Sequence, residues 1–192
     1  MPDVSPNLDA LAGREILVGV SGGIAAYKAA YLVSALARAG AGVTVVMTAA
    51  AKRFVTPLLF HALSGRPVYD DLWTAPEGHP APHIALAVRA EVVAVAPATA
   101  DLLAKAAHGI ADDLLTSTLL AVEAPLVLAP AMNERMWKHA AVQANCEALR
   151  GRGAVLVGPK EGRLACGEEG TGRMAEPDEI LAAIARILEP RA

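Results

Sequence analysis

The chain has little charge and almost no cysteine. Of its 192 residues, 19% are charged, and the formal net charge is -3 at pH 7. With no basic excess and a pI near 5.9, it carries no electrostatic footprint for nucleic acid or an anionic membrane. Two cysteines, Cys146 and Cys166, are too few for a disulfide framework, so a reducing cytoplasm is the expected setting. The apolar runs are broken by Lys28, Arg38 and Lys52, and no segment reads as a membrane span. The first residues, MPDVSPNLDA, lack the basic and apolar regions of a signal peptide. Residues 1–14 are expected to be a flexible lead-in, and 15–192 a single domain.

What the chain does have is apolar content, at 54%. Alanine supplies much of it. The surplus over what one small core needs points to burial between subunits. Short β-rich runs alternate with helical patterns. Ile16 to Val20, Val43 to Met47, Val92 to Ala96, Leu126 to Ala129 and Val155 to Val157 lack polar alternation, as strands buried on both faces do. Ile24, Tyr27, Tyr31, Leu32, Ala35, Leu36 and Ala39 recur at helical spacing, and Gly40 closes that helix. Asp112 to Leu120, Ala140 to Leu149 and Pro177 to Leu188 are further helices. The fold class is α/β, a doubly wound and mostly parallel sheet in a Rossmann- or flavodoxin-like three-layer sandwich. His61 to Pro82, rich in proline and glycine, reads as a long loop.

The unusual residues follow the strands, where open parallel sheets bind ligands. Ser21-Gly22-Gly23-Ile24 follows the first strand, and it either serves a tight turn or offers amides to an anion. It is neither a Walker A loop nor a GxGxxG fingerprint, which suits a mononucleotide better than a dinucleotide. Thr48-Ala49-Ala50 follows the second strand. Thr99-Ala100-Asp101-Leu102 follows the third, with both threonines in helix-capping positions. An acid at Asp101 would repel a phosphate, so it is expected to sit away from one. Pro130-Ala131-Met132-Asn133 follows the fourth, and the Asn133 amide either caps the next helix or holds a carboxylate. His83 ends the irregular stretch with no second ligand at metal spacing. It is a capping residue or an acid-base group. His61, His79, His108 and His139 read as structural. Cys166 lies in a glycine-rich run from Ala165 to Met174, a setting for a mobile lid and for thiol chemistry.

Taken in order, Ser-Gly-Gly-Ile-Ala-Ala-Tyr-Lys from Ser21, His83-Ile84, Ala96 to Leu102, Gly109 to Leu115, Pro130 to Asn133 with Met136-Trp137, and Ala165-Cys166-Gly167 to Met174 resemble the homo-oligomeric flavin-containing cysteine decarboxylases. The resemblance runs from about Glu15 to Leu188. It is strongest to those members that act on phosphopantothenoylcysteine in coenzyme A synthesis. It implies FMN bound by Gly22, Gly23, Ile24, Thr48, Ala49, Ala50, Thr99, Ala100, Asp101, Leu102 and Ala131. It implies substrate bound by Asn133, Ala165, Cys166 and Met174, with His83, Asn133 and Cys166 catalytic. It also implies a trimer or dodecamer with FMN at the subunit interfaces, and no metal. Cys166 would donate a proton in a final reductive step. That separates this reading from peptidyl-cysteine decarboxylases, which release the enethiol, from flavin prenyltransferases, and from non-catalytic regulatory relatives. Arg89-Ala90-Glu91 stands where the family usually has Trp-Ala-Asp.

Overall fold

The computed structural model describes residues 8–73, 81–163, 167 and 169–189. Six parallel strands form one sheet. They are β1 (Glu15–Val20), β2 (Gly42–Met47), β3 (Val68–Tyr69), β4 (Val92–Ala98), β5 (Leu126–Pro130) and β6 (Val155–Leu156). Their order is β3-β2-β1-β4-β5-β6. The chain therefore reverses direction across the sheet between β1 and β4, and a crevice opens there beyond the strand ends.

Alternate residues of each strand feed two cores. Ile16, Val18, Val20, Val92, Ala94 and Ala96 pack with helices α1 (Ala26–Arg38) and α8 (Pro177–Leu188). Leu17, Val93, Val95 and Ala98 pack on the other face, under α3 (Pro82–Arg89), α4 (Ala100–His108), α5 (Leu114–Ala121) and α7 (Ala140–Gly151). Both faces are apolar, which is why the strands read as unbroken hydrophobic runs. Among the described residues, no helix is long and apolar enough to cross a membrane.

Three expectations change. The lead-in expected over 1–14 is packed from residue 8 on: Leu8–Leu11 form a 3-10 turn with Leu11 fully buried, and the Gly13 amide donates to the Gly40 carbonyl at 2.9 Å. The long loop is in fact interrupted. Helix α2 (Pro57–Ser64) ends at Gly65 in the left-handed region, and β3 adds an edge strand through Val45–Val68 pairing. Two residues are too short a strand to show periodicity. On α1 the buried side is Ala26, Lys28, Ala29, Leu32, Val33 and Leu36, whereas Ile24, Tyr27 and Tyr31 form an exposed stripe. The apolar periodicity had merged two faces of one helix. The glycine-rich run around Cys166 is described only in part. The arms of that segment are an antiparallel ribbon, β7 (Lys160–Arg163) with β8 (Glu169–Arg173), while Ala165 and Cys166 lie outside the described residues.

The departure at Arg89 and Glu91 has a structural account. At the amino end of the sheet, Glu15 takes Arg66 Nη2 at 2.8 Å and Arg89 Nε at 2.9 Å. Hydrogen bonding from Arg66, followed by Arg89, holds the Glu15 carboxyl down to about 2. Glu91 accepts the Glu15 amide and Arg14 Nη1, both at 2.8 Å, and its carboxyl is lowered chiefly by that backbone bond. Arg89 and Glu91 thus tie α3 to the start of β1.

Candidate active site at the carboxyl ends of the strands

A single cavity of about 1100 Å3 opens at the switch point between β1 and β4. Ser21 sets its floor. Its hydroxyl donates to the Pro97 carbonyl at 2.7 Å, accepts the Thr99 amide at 3.1 Å, and lies 3.2 Å from Thr99 Oγ1. These bonds lock the loop after β1 to the loop after β4.

Gly22, Gly23 and Ile24 follow on the cavity wall. A methyl at Gly22 would lie 2.3 Å from the Ala50 Cβ, so only glycine lets these two loops meet. Helix α1 begins at an alanine with no side-chain cap. The Ala26 and Lys28 amides donate to the Gly23 and Ala25 carbonyls, both at 2.9 Å, and this helix start lines the cavity, where its positive dipole end suits an anion. Thr48, Ala49 and Ala50 line the adjoining wall. The Ala51 amide donates to Thr48 Oγ1 at 3.2 Å. Thr99 caps α4 by accepting the Leu102 amide at 3.4 Å, and Ala100, Asp101 and Leu102 complete that wall.

Ala131, Asn133 and Met174 close the far side. Asn133 caps the short helix α6 (Glu134–Trp137), its Oδ1 accepting the Arg135 amide at 2.8 Å. The cap uses the acceptor side of the amide, which fixes the orientation of the side chain at the cavity edge. The Met132 amide donates to the Gly172 carbonyl at 3.0 Å, and the Thr171 amide to Glu134 at 3.2 Å. The ribbon is thereby stitched across the Asn133 loop. A methyl at Gly172 would stand 2.2 Å from the Met132 carbonyl oxygen.

Several cavity residues were not foreseen. Lys28 is 8% exposed and bonds both Glu176 carboxylate oxygens at 3.0 Å, which is the main reason the Glu176 carboxyl is lowered. Lys105 pairs with Asp112 at 3.0 Å and Asp101 at 3.2 Å. Asp112, and after it Asp101, raise the Lys105 ammonium above its ordinary value. Asp101 is thus paired with a lysine on its own helix. Asp113 and Thr116 line the wall as the capping box of α5, and Arg163 and Arg173 reach in from the ribbon. Lys28 stands in the Ser21 motif and Asp112-Asp113 in another, so both were visible as motif members; their pairing was not.

His83 does not line this cavity. It sits in the first turn of α3, which packs against α5, and its Nδ1 is buried with no hydrogen-bond partner among the described residues. Ile84 and Val88 beside it are 40% and 81% exposed. Ala165 and Cys166, the other site residues read from the sequence, cannot be placed, for they lie outside the described residues. Among the described residues, no three His, Cys, Asp or Glu side chains group as metal ligands.

Comparisons with known proteins agree with this geometry. The Flavoprotein family model matches residues 4–189. The chain is 49% identical over 184 residues to the Coenzyme A biosynthesis bifunctional protein CoaBC of Vibrio cholerae, covering 96% of this chain and 46% of that protein. It is 50% identical over 171 residues to CoaBC of Bacillus subtilis, covering 89% and 42% respectively. The chain therefore spans about half the length of these curated relatives. Among solved structures, the FMN-dependent cysteine decarboxylase SpaF is 39% identical with a TM-score of 0.82, over 93% of this chain and 97% of that one. A mutant PPC decarboxylase complexed with pantothenoylaminoethenethiol is 33% identical with a TM-score of 0.81, over 90% and 96%. From sequence match and cavity together, the chain belongs to the flavoprotein family.

Proposed function

We propose that the chain is an FMN-dependent carboxy-lyase that converts 4'-phosphopantothenoylcysteine to 4'-phosphopantetheine in coenzyme A synthesis, in the reducing cytoplasm. The observation that carries this reading is the single cavity. It unites a glycine cradle at a helix start, the Thr48 and Thr99 loops and the Asn133 loop at the switch point of a Rossmann-type sheet.

The residues present fit FMN. Gly22 leaves the backbone bare against Ala50, and the Gly22–Gly23 turn at the positive end of α1 would take the flavin phosphate, with Thr48 and Thr99 beside it. Ala131 would lie near the ring. When bound, FMN would supply a two-electron acceptor for the thiol-bearing carbon and return those electrons later. That matters because a saturated cysteine carboxylate has no electron sink. Oxidation to a C=S group creates one, and the electron pair of the breaking C–C bond moves into it as carbon dioxide leaves. The resulting enethiol takes back a hydride and a proton and becomes the saturated thiol.

The chain's own residues place and protonate. The Asn133 amide nitrogen would donate to the substrate carboxylate without adding a charge that holds it in place. Cys166, with Ala165 and Met174 at the substrate, would supply the final proton. His83 would be the acid-base group. Since His83 is outside its own chain's cavity, we assign it to the cavity of a neighbouring copy. The exposed stripe Ile24, Tyr27 and Tyr31 and the apolar face Ile84 and Val88 support such an assembly, a trimer that can build to a dodecamer.

The purified protein should be yellow and should release carbon dioxide from 4'-phosphopantothenoylcysteine without oxygen. Absence of both flavin and carbon dioxide sinks the reading. SpaF, an FMN-dependent cysteine decarboxylase 39% identical to the chain, favours a second reading, decarboxylation of a different cysteine substrate such as a peptidyl cysteine. Cys166 separates the two. Cys166→Ser should still release carbon dioxide but accumulate the enethiol, whereas normal phosphopantetheine from that variant would remove Cys166 from the reductive step.

A further inference from the structure

The cavity is charged unevenly. Its α4–α5 wall carries Asp101, Asp112 and Asp113 against one cation, Lys105. Facing it are Arg163 and Arg173 from the ribbon and Lys28 from α1, and Lys28 and Arg173 share the Glu176 carboxylate. Arg163 forms no ion pair among the described residues, although Glu169 stands opposite it in the ribbon. Arg173 lies beside it: a methyl on Gly162 would stand 3.3 Å from Arg173 Nη1. Two guanidiniums therefore line the cavity from the ribbon, and of the two Arg173 is held by Glu176.

We propose that Arg163, supported by Arg173, receives the terminal phosphate of the substrate; this rests on the decarboxylase reading above. The ribbon is pinned to the Asn133 loop through Thr171 and Gly172. Arg163 pairs with Glu169, two residues further along the ribbon from Thr171, or about 7 Å at strand rise. A substrate whose carboxylate sits on Asn133 extends its two-amide acyl chain along the ribbon, with the phosphate at the far end. That phosphate carries a charge of about -1.5 to -2 at neutral pH. The acidic α4–α5 wall repels it, and the planar fork of an unpaired arginine accepts two of its oxygens at once. The flavin phosphate does not compete, because its cradle is the uncapped start of α1. Arg163 is thus a specificity residue, favouring a phosphorylated substrate over pantothenoylcysteine or a peptide terminus.

The test compares kcat/KM of the holoenzyme for 4'-phosphopantothenoylcysteine and for unphosphorylated pantothenoylcysteine, in wild type, Arg163→Gln and Arg163→Lys. Flavin absorbance is read in parallel. Wild type should prefer the phosphorylated substrate. Arg163→Gln should lose about 10- to 100-fold on that substrate, through KM, so that the preference collapses. Arg163→Lys should fall between, having charge without the fork, and all three should hold equal flavin. An unchanged preference ratio in Arg163→Gln, an equal loss on both substrates, or a loss of flavin overturns the proposal. Carbon dioxide release from neither substrate by wild type overturns the decarboxylase reading as well, and is told apart by appearing before any substitution.

Discussion

The Ser21 hydroxyl and the Thr99 backbone meet across 78 positions of sequence, with the Thr99 amide donating to Ser21 Oγ at 3.1 Å. That bond holds together the two loops that open the cavity. Ser21 is 2% exposed, and Ser21→Ala would leave the Thr99 amide and the Pro97 carbonyl short of a partner. The expected cost is about 1–3 kcal/mol of stability, with weaker flavin retention. Urea unfolding and flavin content together check it. Unchanged values for both would mean that the two loops are held by other contacts.

Gly22 and Gly23 should behave differently on substitution. Gly22→Ala drives a methyl into Ala50 and should lower both the melting temperature and the flavin content. A methyl at Gly23 meets only Thr99 Cγ2, at 3.5 Å, and Pro97, at 3.8 Å, so the fold should tolerate it. That methyl enters the cavity, and the variant should stay folded while binding flavin less tightly. Equal melting points for the two variants would contradict this reading of the cradle.

If His83 serves a neighbour, two inactive variants should rescue each other. His83→Asn and Asn133→Ala should each lack activity alone. Mixed oligomers made by co-expression should regain activity in about a quarter of their sites, since one site then draws on two different chains. Mixed oligomers with no activity would place His83 within its own chain's site.

The ribbon should depend on Gly172. Gly172→Ala sets a methyl against the Met132 carbonyl and should lift β8 from the Asn133 loop. Turnover should fall at least 10-fold, about 1.4 kcal/mol, while flavin stays bound. Turnover at the wild-type rate would show that the ribbon is not needed in that position.

Acid should weaken the fold through Glu15. Its folded carboxyl is depressed to about 2 from 4.5, so its contribution is complete above about 4.5 and is lost as pH falls toward 2. Glu15→Gln should be less stable than wild type at neutral pH, and its stability should fall less steeply over that acid window. Chemical denaturation from pH 7 to pH 3 measures both, and parallel curves for the two proteins would exclude the Glu15 cluster as the cause.

Local chemistry is enough to read much of this protein. The strands show as apolar runs because both sheet faces are buried, and the loops show as glycine, proline and threonine breaks after each run. Those loops gather at one rim because every strand of the sheet is parallel. Gly22 to Ile24, Thr48 to Ala50, Thr99 to Asp101, Ala131 and Asn133 are therefore legible as one cavity, whereas Met174, after the ribbon, is named only by the family motif. What tertiary structure decides is pairing at long range. The Ser21–Thr99 bond, the Lys28–Glu176 pair, 148 residues apart, and the Glu15 cluster that occupies Arg89 leave no local period to read. The same holds for the exposed Ile24, Tyr27 and Tyr31, since an apolar stripe does not say whether its own chain or another covers it. His83 is the sharpest case: the motif names the residue, but only the packing of α3 shows that it stands outside the cavity of its own chain.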